Sequence, residues 1–193
     1  MGKIGLFMGS FNPIHIGHMI IANYMLEFTD LDEILFIVSP QNPFKENSEL
    51  SPEQHRLEMV KIAISNSKNM SVSDIEFKMK KPSYTIDTLK KLIGDSLDEY
   101  FLIIGSDNLI IFENWHKYKE ILKLVDLYVY NRKGYNYINI DFINKYNIKI
   151  FNNCPEIEMS STFIRKNTIT KNLKYFLPGN VYEYMNKHNL YKK

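Results

Sequence analysis

A single cysteine, Cys154, in 193 residues excludes an internal disulfide and any zinc site built on cysteines. Glycine and proline are few, at 8 and 7. No linker or low-complexity tract breaks the chain, so residues 1–193 read as one domain. No apolar run approaches the ~20 residues that cross a bilayer. The first residues lack the pattern of a signal peptide, and a cytoplasmic protein with no membrane partner is expected. Neither sign of charge dominates: 24 Lys and Arg face 22 Asp and Glu, a net charge of +2. The basic residues are scattered among acids, and the nearest approach to a run is Lys78, Lys80 and Lys81. Nucleic acid is therefore not an expected partner. No cluster of acids has the density of a protein metal cage, so no metal ligand is assigned.

What the chain does have is strand-sized apolar runs alternating with helical stripes. Lys3–Met8, Ile34–Val38, Phe101–Ile104, Leu127–Tyr130 and Ile148–Phe151 are apolar on both faces, as in a parallel sheet covered by helices. Ser51-Pro52-Glu53-Gln54 reads as a capping box with proline at the first helical position, ahead of the stripe Leu57, Val60, Ile64. Ile86, Leu89 and Ile93 mark another helix, and Asn180 reads as the cap of a last one ending near Asn189. The expected fold is α/β: a Rossmann-like, doubly wound, mostly parallel sheet with helices on both faces. Such sheets bind ligands beyond the carboxyl ends of their strands.

The residues after the first strand are Gly9-Ser10-Phe11-Asn12-Pro13-Ile14-His15-Ile16-Gly17-His18. Gly9 lets backbone N–H groups come close to a phosphate. His15 and His18 bracket Gly17 at the start of a helix running to about Phe28, beside the positive end of its dipole. Either histidine alone would read as a cap or a packing residue; as a pair behind the first strand they read as donors to phosphoryl oxygens. Further on, Met159-Ser160-Ser161-Thr162-Phe163-Ile164-Arg165 places three hydroxyls at a helix start with an arginine one turn later. That pattern suits the outer phosphates of ATP, against an ordinary serine cap with a surface arginine.

Together these motifs resemble the nucleotidyltransferase superfamily marked by (H/T)-x-G-H and I-S-S-T-x-x-R. Within it, the chain is similar to the bacterial nicotinate-nucleotide adenylyltransferases almost end to end. The similarity runs through Met8 to His18, Pro40 to Lys45, Pro82 to Leu89, Gly105 to Leu109, Trp115, and Val181 to Tyr191. Met8 stands where the family has its first glycine, Met159 replaces an isoleucine, and Lys133 replaces the proline of an R-P-G-Y segment.

The resemblance implies adenylyl transfer from ATP to nicotinate mononucleotide by direct in-line attack. His15 and His18 would contact the α-phosphate, and Arg165 would complete the catalytic set. Gly9, Ser10 and Phe11, with Ser160, Ser161 and Thr162, would hold phosphates, and Gly105 and Asp107 would meet adenosine. Lys45, Ser83, Tyr84, Thr85, Trp115, His116 and Arg132 would bind the acceptor, with Trp115 stacked on its ring. Backbone N–H groups near Trp115 and His116 would help cradle its carboxylate. Mg²⁺ would be held mainly through ATP phosphates, and a homo-oligomer is left open.

Three other readings compete. His15-Ile16-Gly17-His18 is also the signature of class I aminoacyl-tRNA synthetases, but 193 residues leave no tRNA-binding region. Phosphopantetheine adenylyltransferases usually carry threonine where His15 stands. A non-enzymatic nucleotide sensor would bind ATP without releasing pyrophosphate.

Overall fold

The computed structural model describes residues 1–41, 50–94, 96–135 and 142–192. Among these residues six strands form one sheet: β1 Lys3–Gly9, β2 Glu33–Val38, β3 Met70–Ser73, β4 Glu99–Gly105, β5 Asp126–Tyr130 and β6 Ile148–Phe151. Their order is β3-β2-β1-β4-β5-β6, and every neighbouring pair is parallel. The chain winds outward from β1 through β2 to β3, then returns to the other side of β1 for β4. The reversal opens a crevice above the carboxyl ends of β1 and β4.

Among the described residues lie seven α-helices: α1 Ile16–Phe28, α2 Glu53–Ile64, α3 Thr85–Ile93, α4 Ser106–Ile110, α5 Tyr118–Leu124, α6 Ser161–Asn167 and α7 Gly179–Lys187. They divide between the two faces because side chains alternate along each strand. Phe7, Phe36 and Ile103 pack with Ala22, Met25, Val60, Ile164 and Val181 of α1, α2, α6 and α7. Leu6, Ile37, Leu102 and Ile104 pack with Ile86, Leu89, Leu109 and Ile121 of α3, α4 and α5. Burial on both faces explains why these strands are apolar throughout. The core is closely filled at Gly5, where a Cβ would stand 2.7 Å from Leu31, 2.8 Å from Ile103 and 3.0 Å from Ile34.

Three expectations change. The sheet has a sixth strand, β3, whose residues are all half-buried at one edge. The capping box at Ser51 does not form: Pro52 occupies the cap position of α2, without a side-chain cap bond. The Ser51 carbonyl instead accepts from Arg56 Nε at 3.0 Å. The last helix starts two residues early, with Pro178 rather than Asn180 at its cap, and Asn180 donates to the Ile62 carbonyl of α2 at 2.8 Å.

Candidate active site

The loop leaving β1 is shaped before any ligand is considered. Gly9 ends the strand where a Cβ would meet the Phe11 ring at 3.1 Å. Phe11 takes a left-handed backbone, φ 43°, a strained state for a bulky residue. Its ring is held edge-on by Phe7 and Phe36, at centroid distances of 5.8 and 5.5 Å.

Remote segments then fasten the loop. Asn12 Oδ1 accepts from the Ser51 amide at 3.0 Å and from the Tyr191 hydroxyl at 2.8 Å. The Asn12 carbonyl accepts from Arg165 Nη1 at 2.9 Å, and the Pro13 carbonyl from Ser161 Oγ at 2.9 Å. Arg56, only 1% exposed, donates to the Ser10 carbonyl at 2.7 Å.

His15 caps α1 and lies flat on His18, with ring centroids 3.7 Å apart and planes 29° from parallel. Gly17 permits the stack, since a Cβ there would stand 3.0 Å from His15 Nδ1. The backbone N–H of His15 donates to His18 Nδ1 at 3.2 Å. That bond fixes the neutral tautomer of His18, with its proton on Nε2. Burial, and then the nearby Arg132 charge, push the His15 pKa down to about 4. His15 is therefore a neutral imidazole at ordinary pH, and its buried Nδ1 has no protein partner.

These groups line one cavity of about 870 Å³. It brings together Gly9, Ser10, Phe11, His15, His18, Ser83, Tyr84, Thr85, Gly105, Asp107, Trp115, His116, Arg132, Ser160, Ser161, Thr162 and Arg165. Lys45 lies outside the described residues. At the end of β4, Gly105 leaves space that Asp107 fills, since a Cβ would stand 2.2 Å from its Oδ1. Asp107 Oδ2 pairs with Arg132 Nη1 at 2.9 Å, while Oδ1 is buried without a protein partner. On α6, Ser160 caps the helix by accepting from the Phe163 amide at 3.2 Å.

In the acceptor half, Tyr84 caps α3 and its ring rests against His116 at 4.6 Å. Trp115 packs on Phe112 at 4.9 Å with its Nε1 buried and unpartnered. The Trp115 backbone N–H, expected near the carboxylate cradle, donates to the Phe112 carbonyl at 3.0 Å.

Two buried charged residues were not anticipated. Glu76 also lines the cavity, and its two carboxylate oxygens accept from Ser83 Oγ at 2.7 Å and Thr88 Oγ1 at 2.8 Å. Arg56 is the other. Its place on the same helical face as Val60 and Ile64, four and eight residues later, was the available signal.

Residues 6–167 match the model of the cytidylyltransferase-like family. A probable nicotinate-nucleotide adenylyltransferase of Flavobacterium johnsoniae is 45% identical over 99% of this chain and 100% of its own. Another, of Cytophaga hutchinsonii, is 46% identical over 94% of each chain. Among solved structures, a Plasmodium falciparum nicotinic acid mononucleotide adenylyltransferase complexed with NaAD aligns with a TM-score of 0.81 and 21% identity. That alignment covers 100% of this chain and 98% of the other, and at that identity it speaks for the fold. With relatives this similar over the whole length and the two imidazoles seated at the sheet's crevice, the chain belongs to the nicotinate-nucleotide adenylyltransferases of the cytidylyltransferase-like family.

Proposed function

We propose that this protein moves the adenylyl group of ATP to nicotinate mononucleotide, releasing pyrophosphate and forming the deamido dinucleotide of NAD synthesis. The observation that carries the reading is the imidazole pair stacked at the head of α1, inside a cavity large enough for two nucleotides. A phosphate oxygen of the mononucleotide attacks the α-phosphorus of ATP, the bond to the β-phosphate bridging oxygen breaks, and the electron pair leaves with pyrophosphate. No covalent enzyme intermediate is needed, so positioning and electrostatic stabilisation supply the catalysis.

His18 presents its Nε2–H to the α-phosphoryl oxygens, where negative charge concentrates in the transition state. His15, neutral, contributes a hydrogen bond rather than a charge. Ser160, Thr162 and Arg165 serve the departing phosphates. Ser161, whose hydroxyl is committed to the Pro13 carbonyl, serves through its backbone and through the loop it fastens. Asp107 Oδ1, buried without a partner, accepts from a ribose hydroxyl.

Mg²⁺ fits this donor set as a passenger on the polyphosphate: among the described residues no group of three His, Cys, Asp or Glu could hold a metal. When bound, the ion neutralises phosphate charge. No helix among the described residues is long and apolar enough to cross a membrane.

The acceptor's carboxylate meets the N-terminus of α3, where the orphan N–H groups and the dipole favour an anion. An amide in the same place turns donor against donor. Pyrophosphate release should be measured with ATP, Mg²⁺ and each of nicotinate mononucleotide, nicotinamide mononucleotide and phosphopantetheine. The acid should exceed the amide by about 100-fold in kcat/KM. Comparable rates with acid and amide would refute the carboxylate cradle, and ATP binding without pyrophosphate release would refute the transferase.

A further inference from the structure

Arg56 projects from α2 into the ground beneath the crevice. It is 1% exposed, and four of its N–H groups are taken by backbone carbonyls. Nε bonds Ser51 at 3.0 Å, Nη1 bonds both Ser10 and Ser39 at 2.7 Å, and Nη2 bonds Pro40 at 2.9 Å. Ser10 follows β1 and Ser39 follows β2, so one guanidinium gathers the loops that leave two adjacent strands. No carboxylate lies within ion-pair distance of it among the described residues. A buried charge compensated only by carbonyl dipoles is costly. An apolar side chain would fill the space more cheaply, so packing alone does not account for it.

The carbonyls it holds determine where the neighbouring amides point. In a trans peptide the N–H lies antiparallel to the C=O of the preceding residue. The Ser10–Phe11 and Pro40–Gln41 bonds are both trans. With the Ser10 and Pro40 carbonyls turned onto Arg56, the N–H groups of Phe11 and Gln41 are directed away from it. Both residues line the cavity, and among the described residues neither amide donates to a protein acceptor. The strained left-handed backbone of Phe11, φ 43°, stands at one of these two amides. Strain of this kind persists only where surrounding contacts impose it.

We propose that Arg56 is a positioning residue for phosphate binding: by fixing the Ser10 and Pro40 carbonyls it aims the Phe11 and Gln41 amides at a phosphoryl group. Its own charge, met by carbonyl dipoles and by Glu53 only at longer range, adds a positive potential under the same spot. The ligand class is a polyphosphate anion, and the inference rests on the adenylyl-transfer reading of this cavity. A lysine in its place keeps the charge, yet its point-like ammonium cannot hold four carbonyls spread over a planar fork.

The test is titration of ATP, inorganic pyrophosphate and adenosine, with Mg²⁺ throughout, into the wild-type protein and Arg56→Lys below the variant's melting temperature. ATP and pyrophosphate should each bind about tenfold more weakly to the variant, with adenosine within twofold. Equal losses for all three ligands, or no loss for any, would overturn the proposal. Should Arg56→Lys fail to fold, the wild-type protein decides: adding pyrophosphate should shift the Phe11 and Gln41 amide resonances, and unmoved resonances would overturn it. Pyrophosphate release by the wild-type enzyme with ATP and nicotinate mononucleotide is scored separately, so failure of the function and failure of the Arg56 role are distinguishable.

Discussion

Replacing Gly17 with alanine separates the stability of this protein from its catalysis. Gly17 is the second residue of α1, where alanine is favoured over glycine by up to about 1 kcal/mol of helix propensity. Against that gain, the new Cβ would stand 3.0 Å from His15 Nδ1 and 3.1 Å from its Cε1. A contact this tight must open by a few tenths of an ångström. His15 has little room to give, being 5% exposed and stacked on His18 at 3.7 Å. The two effects oppose each other in stability, so Tm should move by no more than a few degrees. They do not oppose each other in catalysis. A misplacement of about 1 Å in a catalytic group can cost ~100-fold, so a shift of a few tenths should lower kcat about tenfold. The assay is pyrophosphate release at saturating ATP and mononucleotide, beside a thermal melt of the same preparation. A Gly17→Ala enzyme with wild-type kcat would show that the imidazole stack is not the catalytic geometry.

Three further outcomes are expected. His18→Ala should reduce kcat by about 10²–10³-fold while nucleotide affinity changes little, the scale for one transition-state donor; near-normal turnover would remove His18 from the mechanism. The buried His15 should make stability depend on pH. Its folded pKa of about 4 lies below the unfolded value of 6.5, so the unfolded chain binds the extra proton between them. Stability should therefore fall as pH drops from 6.5 towards 4, by about 3 kcal/mol in all; His15→Gln, which cannot titrate, should lack that slope, and superimposable curves would contradict the assignment. Gly5→Ala should destabilise by about 1–3 kcal/mol, because its Cβ would overlap the Leu31 and Ile103 side chains in a filled core; a denaturant midpoint equal to wild type would show that this part of the core is looser than it looks.

Much of this arrangement is legible in the sequence because strong local signals coincide there with tertiary demands. Five of the six strands announce themselves as apolar runs, since burial on both sheet faces requires it. Strand β3 does not, because it is short, pairs on one side only and alternates Met70 and Val72 with Ser71 and Ser73. Its period-2 alternation was the available signal, too short to stand out. The imidazole and hydroxyl motifs are contiguous, so their spacing points to the site directly. The supports beneath them are not contiguous. Arg56 and Glu76 look like solvated charges until the fold brings Ser10, Ser39 and Ser83 to them. The Ser51 cap failed for a related reason: its carbonyl and amide are drawn into bonds with Arg56 and Asn12. A tertiary network outweighed a local preference.

Tyr191 meets Asn12 across 179 positions of sequence, which gives the catalytic loop a place in time as well as in space. The loop is synthesised 179 positions before the hydroxyl that anchors its asparagine. A growing polypeptide can hold both histidines, all three motif hydroxyls and Arg165 while still lacking that tether. Joining segments so far apart carries a loop-closure penalty, offset by the packing of Tyr191 and α7 against the core on that face of the sheet. This fastening of the loop can thus be made only after all six strands of the sheet have been synthesised.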